Sequence, residues 1–167
     1  SGFCSLDGRF FNALRGASDA YMSDACADDE AYRRWFEQHR ATPGQLAAQR
    51  AMERSVSPLV SIVVPCFRSN GNYLSELIDS VLAQSYARWE LLLVDGSPED
   101  GVVAQAVARA SDNRIRIIAP SENTDIVSNT NVGIEASRGE LIAFLDHDDL
   151  LEPDALHCYV AALEADP

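Results

Sequence analysis

Four short apolar runs, each followed by a stretch of helical periodicity, restrict what this 167-residue chain can fold into. The first, Leu59-Val60-Ser61-Ile62-Val63-Val64, is rich in β-branched residues and is ended by Pro65. The second is Trp89-Glu90-Leu91-Leu92-Leu93-Val94, the third Arg114 to Ala119, and the fourth Glu140 to Leu145. Between them, Tyr73 to Leu82 places Leu74, Leu77, Ile78, Val81 and Leu82 on one helical face. Residues 99–110 read as a second helix, and Asn123 to Arg138 contains a third, stopped by Gly139. Pro153 opens a last one, with Leu156, Tyr159, Val160 and Leu163 as its stripe. Strands that alternate with helices build a mainly parallel sheet with right-handed crossovers and flanking helices, a Rossmann-like α/β domain. The nearly continuous apolar run Glu140 to Leu145 predicts a central strand, buried on both faces.

Open parallel sheets bind ligands just beyond the carboxyl ends of their strands. Here those ends hold Pro65-Cys66-Phe67-Arg68, Asp95-Gly96-Ser97 and Asp146-His147-Asp148-Asp149. Phe67 offers an aromatic face for a base, Asp95 can accept from a base N–H or a ribose hydroxyl, and Gly96 lets backbone come close. Asp146 and Asp148 repel one another as bare anions, a conflict that a hard divalent cation relieves. Such an ion is also what lets an anionic diphosphate sit among carboxylates. Taken singly, each has a plainer reading: Phe67 as core, Asp95 as a turn former, His147 as a surface spacer, the acidic turn as a helix cap. Their co-location at one sheet edge is what favours a nucleotide and metal site.

Charge narrows the partners. The net charge is −13, and all 13 basic residues are arginine. Residues 56–167 carry 18 acids against 6 arginines, which argues against a nucleic-acid partner. The cysteines at 4, 26, 66 and 158 show no ligand spacing and read as reduced thiols of a cytoplasmic protein. No apolar run is long enough to span a bilayer, and no basic-then-apolar signal segment opens the chain. Residues 1–27 read as a loosely held arm with Phe10, Phe11 and Leu14 as its apolar cluster. A helix from Asp28 bears Tyr32, Trp35 and Phe36, and a second runs from Pro43 to about Arg54. The division expected is therefore an arm and helical lead-in over 1–57 and a nucleotide-binding domain over 58–167. The lead-in helices brace the domain or reach another part of a longer protein.

In these residues the chain resembles the nucleotide-sugar-dependent family-2 glycosyltransferases of GT-A fold. The resemblance rests on Val60 to Pro65, Ser80-Val81-Leu82-Ala83-Gln84-Ser85-Tyr86, Trp89 to Asp95, Glu122-Asn123, Asn131-Val132-Gly133, and Gly139 to Asp149. These run in the family's order from about residue 58 to the end. Tyr32, Trp35 and Thr42 resemble the helical lead-in of some larger members. The resemblance implies a nucleoside-diphosphate sugar donor (UDP- or dTDP-linked), with Pro65, Phe67, Asp95, Gly96, Asn131 and Asp146 around the nucleotide. It implies Mn²⁺ or Mg²⁺ on Asp148 and Asp146. It further implies transfer with inversion to a saccharide or lipid-linked acceptor in bacterial cell-surface polysaccharide synthesis, in the cytoplasm or peripherally at the inner face of the plasma membrane. The catalytic base is expected beyond Pro167, in an acceptor half that the domain lacks, so 1–167 alone is expected to be inactive. The chain departs from the family at Arg68, where asparagine is usual, at Gly96, where a second aspartate is common, and at Thr130, often arginine. These positions bear on donor identity.

The alternative is a catalytically inactive nucleotide- and metal-binding fragment or degenerate domain of a larger protein. A nucleotidyltransferase wants a glycine-rich basic loop after the first strand, and a phosphoacceptor receiver wants an acidic pair there and a later lysine. Neither feature is present. An EF-hand is excluded because Leu151 stands where its loop needs glycine.

Overall fold

The computed structural model describes residues 29–54, 57–120 and 125–165. The expected arm over 1–27 and Glu122-Asn123 lie outside them. Helices α1 (Asp29–His39) and α2 (Pro43–Ala51) come first, followed by β1 (Val60–Cys66), α3 (Gly71–Leu82) and β2 (Trp89–Asp95). After a 3₁₀ turn at Pro98–Asp100 come α4 (Val102–Ala110), β3 (Ile115–Ile118), α5 (Ile126–Ala136), β4 (Leu141–Phe144) and α6 (Ala155–Ala165). The four strands are parallel in the order β3-β2-β1-β4.

β1 and β2 form the buried centre, with Ile62, Val63, Val64 and Leu91 to Val94 fully enclosed. One sheet face packs Leu74, Leu77, Ile78 and Val81 of α3 with Leu156 and Val160 of α6. On the other, Val63, Leu92 and Val94 meet α5 through Val132 and Ala136. α5 can approach this closely because Gly133 lies against the sheet. A Cβ there would overlap Val63 Cγ1 and come within 3.0 Å of Val94 Cγ2. At the opposite end of the strands, Glu90 accepts from Ser61 Oγ, the Arg138 N–H and Arg116, joining β1, β2, β3 and the entry to β4.

Two expectations are corrected. β4 is an edge strand of this sheet, not a central one. Leu141 and Ala143 pack toward the core, while Ile142 and Phe144 are 41% and 62% exposed because no described element covers that side. A continuous apolar run does not say whether both its faces are covered. The helix expected over 99–110 is broken at Gly101, whose φ of +69° ends the 3₁₀ turn before α4 begins. Smaller shifts follow the same logic. β1 continues through Pro65 to Cys66, paired with Val94 and Asp95, and α6 starts at Ala155 after a turn.

The two leading helices lie against the domain. Thr42 and Gln45 form a reciprocal capping box at the start of α2. Arg40 pairs with Glu152 at 2.9 Å, and Arg50 donates to the Ala83 carbonyl at 3.0 Å. Arg54, with only 7% of its side chain exposed, pairs with Glu164, donates to His157 Nδ1 and lies over the Tyr86 ring.

Candidate nucleotide-binding site

The connectivity places a crevice at the end of β1. β1 leads to β2 on one side of the sheet, while β4 lies on its other side, so the strand order reverses there. The β1–β4 ladder also stops there. Leu141 and Leu145 donate to the carbonyls of Leu59 and Val63, so odd-numbered β1 residues face β4. Pro65, next in that series, has no N–H to continue the ladder. Beyond it opens a recess of about 310 Å³ lined by Pro65, Cys66, Phe67, Asp125, Ile126, Asn129 and His147.

Three elements build this recess. The end of β1 supplies the apolar floor and Phe67, which is 50% exposed and so is not spent in the core. The guanidinium of Arg68 lies 5.2 Å from the centre of that ring. Arg68 has a φ of +48°, unusual for a residue with a side chain, and its N–H donates to Ser97 Oγ at 2.9 Å. The start of α5 supplies Asp125, the N-cap that accepts from the Ser128 N–H, and Asn129, buried one turn later. The turn after β4 supplies His147. Cys66 is buried, and that burial pushes its thiol up to about 12, which disfavours the thiolate.

Asp95 sits beside this recess rather than in its lining. It ends β2 opposite Cys66, is 4% exposed, and accepts from the Ser97 N–H at 3.1 Å. Burial holds its carboxyl above the ordinary range, the Ser97 N–H opposes that, and the Asp100 and Glu99 carboxylates reinforce it. Gly96 is buried, with its N–H given to the Cys66 carbonyl at 2.8 Å. Of the residues singled out at the strand ends, Pro65 and Phe67 line the recess, together with Asp125, Asn129 and His147. Asn131 is exposed on α5, two residues from the buried Asn129. The tertiary signal for Asn129 is an amide on the side of α5 that faces the sheet, among apolar neighbours.

Asp146, Asp148 and Asp149 are exposed on the turn, and the Asp149 N–H donates to the Asp146 carbonyl at 3.1 Å. Among the described residues no arginine pairs with any of the three. No group of three or more His, Cys, Asp or Glu side chains is gathered as a cage among the described residues. Two unpaired hard-oxygen carboxylates fit a Mg²⁺- or Mn²⁺-type ion that draws the rest of its shell from water and substrate phosphates. They do not fit an ion held by protein alone.

A parallel α/β sheet with a recess at the switch point is a Rossmann-like layered fold with a ligand crevice at its strand ends. Residues 61–167 match the profile of glycosyl transferase family 2, and the chain belongs to that family. It is 42% identical over 138 residues to the uncharacterized protein y4gI of Sinorhizobium fredii, covering 81% of this chain and 15% of that protein. It is 38% identical over 124 residues to the O-antigen biosynthesis protein RfbC of Myxococcus xanthus, covering 72% of this chain and 10% of that one. The chain thus spans a small part of the length of these relatives. Among solved structures, S. aureus TarS 1-349 in complex with UDP shares the fold at a TM-score of 0.53 and 21% identity, over 62% of this chain and 31% of that one. Members of this family commonly use a divalent metal. Among the described residues, no helix is long and apolar enough to cross a membrane.

Proposed function

We propose that residues 58–167 are the donor-binding part of an enzyme that transfers a sugar from a UDP- or dTDP-sugar, with inversion, to a saccharide or lipid-linked acceptor in cell-surface polysaccharide synthesis. The observation that carries this reading is the meeting of β1, α5 and the acidic turn around one recess at the switch point, in a chain of this family. The recess of about 310 Å³ is in the size range of small-ligand sites, and a solved structure of the same fold is a UDP complex.

In this reading the base stacks on Phe67, with Pro65 beneath it and Asp95 accepting from a base N–H or a ribose hydroxyl. The Gly96 backbone gives that edge close approach, and Asp146 approaches the ribose or the ion. Asp148, with Asp146, holds Mn²⁺ or Mg²⁺ against the diphosphate. The ion, when bound, neutralises the charge that develops on the leaving diphosphate. The protein's own contribution is orientation: a ring to fix the plane of the base and a buried carboxylate to fix its edge. No general base is assigned to these carboxylates, because nucleoside and ion already engage them. The natural setting is the cytoplasm, at or near the inner face of the membrane.

Isothermal titration with UDP, with and without Mn²⁺, tests the binding reading, and a donor-hydrolysis assay beside it tests for chemistry. Metal-dependent UDP binding is the expected result. Absence of any UDP binding by the folded chain overturns the site.

A further inference from the structure

The turn carrying Asp146 and Asp148 has almost no packing of its own. Of residues 146–150, all but His147 are exposed, so beyond the Asp149 N–H to Asp146 carbonyl bond the turn is held from its two ends. The front end is the β1–β4 ladder, where the Leu145 N–H donates to the Val63 carbonyl at 3.2 Å. The back end is held by the C-terminal end of α3 and the residues just after it. The Leu151 N–H donates to Ser80 Oγ at 3.2 Å, and the Ser85 N–H donates to the Pro153 carbonyl at 2.7 Å. Between these contacts sits Gln84, 6% exposed, with both edges of its amide in use. Its Nε2 donates to the Glu152 carbonyl at 2.8 Å and to the Ser80 carbonyl at 3.1 Å, while its Oε1 accepts from the Leu156 N–H at 3.1 Å.

We propose that Gln84 is a positioning residue for the cation–diphosphate site, fixing the back of the acidic turn through the Glu152 carbonyl and the Leu156 N–H. This rests on the reading of Asp146 and Asp148 as ligands of the ion. A buried amide is an expensive way to join two segments that apolar packing could also join. What it adds is direction, since hydrogen bonds hold distance and angle where apolar contacts slide. Metal–ligand bond lengths hold within about ±0.2 Å, and residues that orient the ligand-bearing segment support such a site. The leading helices reinforce the same place, with Arg40 on Glu152 and Arg50 on the carbonyl of Ala83, beside Gln84.

The test uses Gln84→Met, which keeps volume and removes the hydrogen bonds, and Gln84→Glu, which keeps the acceptor alone. Glu90→Gln, at the far end of the strands, serves as a destabilised control. Mn²⁺ is titrated into each protein at saturating UDP and followed by calorimetry and by the Mn²⁺ electron paramagnetic resonance signal, with folding checked by circular dichroism at the same temperature. Mn²⁺ affinity is expected to fall about tenfold or more in Gln84→Met, the lower end for loss of a residue supporting metal ligands, and less in Gln84→Glu. UDP affinity in EDTA, and Mn²⁺ affinity in Glu90→Gln, stay at the parent value. If Gln84→Met does not fold, Gln84→Glu and Ser80→Ala carry the comparison. Unchanged Mn²⁺ affinity in folded variants, or an equal loss in EDTA, overturns the positioning role. A parent chain that binds UDP without any response to Mn²⁺ overturns the ligand assignment itself, and the proposal with it.

Discussion

Phe67→Ala separates a ligand platform from a core residue, because the structure sets different magnitudes for the two. Fully burying a phenylalanine side chain is worth roughly 1.5–3 kcal/mol relative to exposure. Phe67 is 50% exposed, so about half of that, roughly 1 kcal/mol, is at stake in the unliganded protein. The Arg68 guanidinium over the ring adds about 0.5–1 kcal/mol at an exposed site. A total of about 1–2 kcal/mol corresponds to a drop in Tm of roughly 2–8 °C for a chain of this size. The enclosed Leu91 sets the contrast: Leu91→Ala removes a side chain with no exposure and should cost about 2–5 kcal/mol. Binding follows the opposite order. Loss of a base-stacking ring costs about 1–3 kcal/mol of affinity, and Phe67→Ala should pay that while folded Leu91→Ala does not. Thermal unfolding followed by circular dichroism, beside UDP titration at 25 °C, reads both quantities from one preparation. A Phe67→Ala protein with a Tm loss equal to that of Leu91→Ala and parental UDP affinity refutes the reasoning, since the ring would then be core.

Other expectations follow from neighbouring residues. Asp148→Ala should abolish the Mn²⁺ dependence of UDP binding with little change in Tm, because the side chain is exposed and unpaired, while Asp149→Asn should do less; calorimetry with and without Mn²⁺ distinguishes them. Gly133→Ala should destabilise by about 1–3 kcal/mol or more, since the added methyl overlaps Val63 on the enclosed β1 strand, and denaturant unfolding measures it. Glu90 links stability to acid. Burial pushes its carboxyl up, but hydrogen bonds from Ser61, the Arg138 N–H and Arg116, with the Arg116 charge, outweigh that and hold it below the ordinary range. Its contribution is therefore present above the unfolded value of about 4.3 and is lost as pH falls through the lower folded value. Glu90→Gln should flatten that acid limb of the stability–pH curve, and an unaltered limb assigns it to other carboxylates.

The alternation of strands and helices was legible because it is local. Val60 to Val64, Ser61 aside, and Leu91 to Val94 are β-branched or leucine runs that suit a doubly covered strand, and α3 shows its core face at helical spacing. The strand-end rule then pointed to Pro65, Phe67, Asp95 and the acidic turn without any coordinates, because parallel strands put all their carboxyl ends on one edge. The reading failed where the answer depended on neighbours in space. Residues 141–144 are as apolar as a central strand, yet the sheet order leaves Ile142 and Phe144 open on one side. Burial belongs to the pair of surfaces, not to the run. Asn129 and Asn131 are both asparagines in one helix, and only the rotation of α5 about its axis, set by Gly133 against Val63, decides that the first is buried at the recess and the second faces solvent. His147, which reads as a spacer between two aspartates, lines the recess, while the aspartates on either side of it are exposed. Gln84 lay in a recognisable motif, but its task is to hold a segment 68 residues further on, a distance along the chain that no local pattern spans.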